Sequence, residues 1–185
     1  MSAADEPLLD RARIQDLFCR LGERLRRRGV VGDVYVIGGA AMALAYDARR
    51  ATRDIDAVFL PHGIVLEEAH ALAAELGLPQ WWLNEQASAY VAPGGDPQAP
   101  LSFDHPGLRV STASPEHLLA MKAMAARRRD IDDLRLLVGR LGLTTPEQVV
   151  AVCTRVFPDE PLPDRARLLL ADLFEEMRRA DEGDE

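Results

Sequence analysis

Apolar residues recur at helical spacing near the start of the chain, at Leu8, Leu9, Ala12, Ile14, Leu17, Phe18, Leu21 and Leu25. This predicts an amphipathic helix with Asp5 and Glu6 in its first turn, closing at Arg26-Arg27-Arg28-Gly29. The arginine triplet then either complements the helix C-terminus or contacts RNA. The pattern changes at Val34-Tyr35-Val36-Ile37, a continuous run rich in β-branched residues that ends in Gly38-Gly39. Such a run predicts a strand buried on both faces and followed by a turn. Ala40 to Tyr46 is rich in helix formers. From Asp54 to Leu60 acids and apolar residues alternate, which predicts a second strand with Asp54 and Asp56 on one side and Ile55 facing the core.

That strand–turn–helix–strand order is where the candidate chemistry lies. Glycine lets backbone approach a ligand with no Cβ in the way, and a helix beginning after Gly39 would aim free N–H groups at a phosphate. Two carboxylates about 4 Å apart at an effective dielectric near 20 repel by about 4 kcal/mol. Keeping both ionised calls for a cation, and hard oxygen ligands suit Mg²⁺, which binds through one or two carboxylates plus substrate phosphates. The bland alternative is that both acids face solvent at a strand start. Arg49, Arg50 and Arg53 flank the acids and are read equally as a phosphate-neutralising group or as a solvated linker.

Gly38-Gly39, Thr52 and Asp54-Ile55-Asp56 together resemble the Gly-Gly/Ser … Asp-x-Asp signature of the polymerase-β-like nucleotidyltransferase fold. The finer pattern, Gly-Gly-x-Ala … Arg-x-Thr-x-Asp-Ile-Asp, resembles the AbiEii/MenT-type nucleotidyltransferases, many of which are toxins of bacterial toxin–antitoxin pairs. The matching motifs run from about Val36 to Leu137. The resemblance implies transfer of a nucleotide from a nucleoside triphosphate, with Asp54 and Asp56 holding Mg²⁺. Gly38, Gly39, Thr52, Arg53, Lys122 and Arg129 would contact the nucleotide. It also implies an RNA acceptor, the tRNA 3′ end, and a cognate antitoxin as protein partner. Transfer to a small molecule or a protein side chain, and a degenerate nucleotide binder without catalysis, are the alternatives. In this fold a third acid commonly sits on a later strand, and Asp104 is the candidate; otherwise Asp104 merely starts a turn.

The remaining pattern predicts helices and short strands. Ile64 to Leu76 has helical spacing and is closed by Gly77-Leu78-Pro79. Trp81 and Trp82 are read either as base-stacking residues or as packing on the core edge. Ala92 to Pro100, rich in Pro and Gly, is expected to be a mobile connection. Leu101–Asp104 and Leu108–Ser111 alternate around His105-Pro106-Gly107 as a hairpin. Ser114-Pro115-Glu116 starts a helix carrying Lys122, the sole lysine. Its ammonium either meets a triphosphate or snorkels to solvent. On an unbroken helix Lys122, Arg129 and Asp133 would share a face. The apolar stripe shifts register before Leu134, however, so a break near Asp130 is also predicted. Asp130 and Asp133 would then cap the next helix. The resemblance instead gives Asp133 a catalytic role. Thr145 and Gln148 form a capping box for a helix from Pro146 to Val156, and Asp164 to Arg179 forms another. The tail Asp181–Glu185 is expected to fray.

Composition narrows these readings only a little. The chain has 185 residues and a net charge of −8, which disfavours a general nucleic-acid binder but allows a local basic site. Cys19 and Cys153 have neither metal-ligand nor redox spacing, consistent with free thiols in a reducing cytoplasm. No apolar run reaches membrane-span length and no signal peptide is apparent, so no membrane association is expected. The expected fold is α/β (α+β): a core over 1–113 with a small mixed sheet, and a helical part over 114–185 packed on it.

Overall fold

The computed structural model describes residues 8–47 and 49–183. Asp5, Glu6, Asp184 and Glu185 therefore lie outside the described residues. The chain divides into two compact units. The first comprises the described residues of Met1–Ala89 with Gln98–Ala113, and the second Tyr90–Pro97 with those of Ser114–Glu185.

The first unit is α/β. Helix α1 (Arg11–Arg27) begins later than its apolar pattern suggests, because the Asp10 side chain accepts from Arg13 N–H at 2.8 Å and sets the N-cap there. Leu9 is extended instead, and its backbone exchanges hydrogen bonds with Thr52. Strand β1 (Gly32–Val36) is followed by a single helical turn, α2 (Gly38–Ala41), and a π-helical turn, Met42–Tyr46. Then come β2 (Ile55–Leu60), α3 (His62–Leu76), the two-residue β3 (Leu83–Asn84), β4 (Leu101–His105) and β5 (Leu108–Thr112).

The sheet order is β3-β2-β1-β5-β4. β1 runs antiparallel to β2 and parallel to β5, β3 runs parallel to β2, and β4 antiparallel to β5. One face is closed by apolar burial: Val34, Val36, Ile55, Ala57, Phe59 and Val110 meet Ile14, Phe18, Leu21 and Leu25 of α1 and Val65, Ala69 and Leu72 of α3. At 3.3 Å per residue the alternation of β2 puts Ile55, Ala57 and Phe59 in this core and turns Asp56 and Val58 to the other side.

The second unit is helical: α4 (Pro115–Ala125), α5 (Ile131–Arg140), α6 (Pro146–Val156) and α7 (Asp164–Gly183). α4 packs against the other three through Leu118, Leu119, Leu134, Leu137, Val149, Val152, Leu170 and Leu173. Two sequence-predicted starts are present, Ser114 with Pro115 at the head of α4 and the Thr145–Gln148 capping box of α6. The expected mobile connection is instead anchored. Asp96 Oδ2 accepts from Ser114 N–H at 2.7 Å, its Oδ1 lies 3.2 Å from His117 Nδ1, and His117 Nε2 lies 2.9 Å from Gly95 O. Because Ser114 Oγ and Asp96 both meet Nδ1, these three side chains form a latch, not a proton relay.

Candidate active site

The glycine turn and the head of β2 meet at one end of the sheet. Gly38 has φ +64°, the left-handed region that a Cβ disfavours by about 1–2 kcal/mol, so the turn is specific for glycine. A Cβ there would lie 3.4 Å from Asp56 Oδ2, which places that carboxylate directly beneath the turn. At Gly39 the space a Cβ would take is met by Thr52 Oγ1 at 3.1 Å. Gly39 and Thr52 are therefore matched to each other, and the absent Cβ serves internal packing as well as any ligand. Arg11 Nε donates to Ala43 O and Tyr46 hydroxyl to Ala113 O, at 2.9 and 2.6 Å, fixing the π-helical turn on both sides.

Asp54 precedes β2 and is half-buried, as is Asp56. Its Oδ2 accepts from Asn84 Nδ2 at 3.2 Å. Asn84 is paired with Asp56 in the parallel β2–β3 register, so its side chain emerges on the same sheet face. The same amide nitrogen donates to Trp81 O at 3.1 Å, and Asn84 Oδ1 accepts from Gln86 N–H at 2.9 Å. Asn84, only 8% exposed, thereby ties Asp54 to the edge of the sheet. Sequence reading passed over this residue: a two-residue strand has no periodicity, and the neighbouring tryptophans drew the attention. The buried polar side chain beside an aromatic pair is the signal that could have found it.

Of the flanking cations, Arg53 is exposed and Arg49 is 93% exposed at its side chain. The backbone N–H of Arg49 holds the Asp47 carboxyl below its ordinary range, helped by the Arg49 and Arg50 charges and opposed by desolvation.

Asp104 requires a correction. The register aligns Asp104 with Arg109, Arg109 with Asp33, and Asp33 with Leu60. Leu60 is the far end of β2 from Asp56. At about 3.3 Å per residue and about 4.8 Å per strand, Asp104 stands on the order of 20 Å from Asp56. It neighbours instead the bidentate Arg109–Asp33 pair, at 2.9 and 3.0 Å, and helps raise the Arg109 pKa after Asp33 itself. Among the described residues no group of three or more His, Cys, Asp or Glu side chains could hold a metal ion. A third carboxylate ligand from Asp104 is thus ruled out by topology. Asp54 and Asp56 alone still fit Mg²⁺, which takes one or two hard carboxylates and completes its shell with water and phosphate oxygens.

In the second unit α4 ends at Ala126, whose φ of +48° breaks the helix before the turn Arg128–Asp130. The break falls where the apolar stripe changes register, and Lys122, Arg129 and Asp133 do not share one helical face. Lys122 Nζ lies 2.9 Å from Asp130 Oδ1 and 2.8 Å from Asp133 Oδ2, and its side chain is 9% exposed. The ammonium is buried, so the snorkelling alternative fails. Asp130 makes no side-chain cap to α5, its oxygen being committed to Lys122. Arg129 points to solvent in the connecting turn. The two tryptophans also divide: Trp82 is buried and donates from Nε1 to Ala69 O at 3.0 Å, whereas Trp81 is 38% exposed.

No helix among the described residues is long and apolar enough to cross a membrane. No curated protein matches the chain. A solved structure, an antigenic nucleotidyltransferase-like protein from Paracoccidioides brasiliensis, is 17% identical over 95% of this chain and 94% of that one, with a TM-score of 0.49. A family model described as "Nucleotidyltransferase of unknown function (DUF6036)" matches residues 13–151, and the chain belongs to that nucleotidyltransferase family.

Proposed function

We propose that the protein transfers a nucleotide from a nucleoside triphosphate to an acceptor hydroxyl in a Mg²⁺-dependent reaction. The observation that carries this is that Asp56 lies under the left-handed Gly38 turn while Asn84, its partner in the β2–β3 register, donates to Asp54 Oδ2. Asp54 and Asp56 would hold Mg²⁺, which would neutralise phosphate charge and make the acceptor hydroxyl more acidic. Asn84 fixes the orientation of Asp54, and the backbone of Gly38 and Gly39 offers N–H groups to phosphate oxygens. In the transfer the acceptor oxygen bonds to the α-phosphorus, and the bond from that phosphorus to the bridging oxygen of the β-phosphate breaks. Pyrophosphate leaves with the electron pair, and the hydroxyl proton passes to a carboxylate or to water.

The finer assignment rests on the motif resemblance and on the cations around the acids. Exposed Arg53, next to Asp54 in sequence, and exposed Arg49 support a polyanionic acceptor, read here as RNA and specifically the tRNA 3′ end. The AbiEii/MenT-like motif supports a toxin opposed by an antitoxin protein. It also supports roles for Lys122, Arg129 and Asp133 at the nucleotide, while the buried ion cluster supports a scaffold role for Lys122 and Asp133. Incubation with each labelled nucleoside triphosphate, Mg²⁺ and total RNA tests the reading. Label transferred to RNA, with release of pyrophosphate, is the expected result. Absence of transfer to any RNA, with every nucleotide, rejects it.

A further inference from the structure

Asp54 lies just outside the sheet. Strand β2 begins at Ile55, and Asp56 is held at its head by Ile37 N–H, which donates to Asp56 O at 2.9 Å. Arg53 and Asp54 form a bend ahead of the strand, so strand pairing fixes only one end of that bend. The other end is Thr52. Its N–H donates to Leu9 O at 3.0 Å, and Leu9 N–H donates to Thr52 O at 2.7 Å. Leu9 is 1% exposed, so its side chain is rooted in the core. Only Asp10 separates it from α1, and Asp10 is the cap of that helix. The bend carrying Asp54 is thus tied to the start of α1 with no slack in the chain.

The same helix start makes a second tie. Arg11, its first residue, donates from Nε to Ala43 O at 2.9 Å. Carbonyls in the last turn of a helix lack a following N–H, and the guanidinium supplies a donor there. That π-helical turn continues directly from Gly38–Ala41, the turn under which Asp56 lies. Thr52 joins the two ties, because its Oγ1 stands against Gly39.

We propose that Leu9 and Arg11 are positioning residues: the start of α1 is a strap that sets Asp54 and the glycine turn relative to one another. This rests on the reading of Asp54 and Asp56 as a nucleotidyl-transfer site. Neither strap residue touches a substrate; Leu9 acts through Thr52, and Arg11 through Ala43. A misplacement of about 1 Å made far from the reacting atoms can slow a reaction by about 10²-fold.

Two measurements on the full chain test the strap. Amide hydrogen exchange, without nucleotide or metal, reads the ties themselves. Leu9→Pro deletes the donor of the shorter bond and should speed exchange at Thr52, Arg53 and Asp54. Arg11→Met keeps an aliphatic stem without the donor and should speed exchange across Met42–Tyr46. Amides shared between β1 and β5 should keep wild-type rates in both variants. The second measurement is steady-state transfer. Each variant should lower kcat by about 10²-fold while the nucleoside triphosphate KM moves much less. Arg11→Lys, which retains a donor, should recover most of the lost kcat. If Leu9→Pro does not fold, Arg11→Met and its lysine counterpart decide the matter. Wild-type kcat in the folded variants, or exchange unchanged at both segments, overturns the strap. A wild-type chain that transfers nothing overturns the transfer reading instead, and the exchange rates alone then decide whether the strap holds the bend and the turn.

Discussion

Carboxylates in the two units are held in different ways. In the second unit Asp130 and Asp133 close on the buried ammonium of Lys122, at 2.9 and 2.8 Å. In the first, Asp54 is held by the neutral amide of Asn84, and Asp56 lies half-exposed under a glycine turn. A buried ion cluster satisfied by the fold's own charges specifies structure. Asp54, oriented by a neutral amide and half-exposed at the sheet end, remains able to recruit a cation from solution.

The largest expected effect lies on the buried side of that contrast. Lys122→Met leaves two buried carboxylates without their ammonium and should cost about 3–5 kcal/mol of unfolding free energy, read from denaturant midpoints. Adding Asp130→Asn and Asp133→Asn should recover part of the loss. A neutral Lys122→Met would mean the ammonium holds no buried acids, and the contrast would fall. Next in size is Asn84→Ala. It frees Asp54 to reorient and should lower transfer by about 10- to 100-fold, as for groups that orient metal ligands, with a smaller change in stability. Activity equal to wild type would remove Asn84 from the site.

The smallest effect concerns Cys153, whose thiol burial pushes from 9.0 up to about 11. The folded chain keeps that proton where the unfolded chain has released it. The resulting stability is full below about pH 9 and is lost as pH rises through 11. Thiol reagents at pH 8 should label exposed Cys19 and spare Cys153 until the protein unfolds. Two labels on the native protein would contradict the burial.

Much of this was legible because it is local. The apolar run before Gly38-Gly39, the hairpin around His105-Pro106-Gly107 and the caps at Ser114 and Thr145 each depend on a few adjacent residues, and each appears where its pattern places it. The break before Asp130 was visible as a register change in the apolar stripe. What escaped the sequence depends on pairings across the chain. Asp104 had the right residue type, but only the order β3-β2-β1-β5-β4 reveals that it stands at the wrong end of the sheet. Asn84 acquires its role by pairing with Asp56, and Asp96 by reaching Ser114 and His117. Thr52 filling the space beside Gly39 is likewise a contact, not a pattern.

Asp54 and Asp56 are the proposed site of cation-dependent nucleotidyl transfer. The most direct measurement is label transfer by Asp56→Ala over a Mg²⁺ series, paired with a melting curve. Removing one of two like charges should leave the melting temperature within about 2–4 °C of wild type, the shift of roughly 1 kcal/mol in a chain of this size. Transfer should fall to background at every Mg²⁺ concentration. Wild-type transfer by this variant, with the same Mg²⁺ dependence, would contradict the assignment.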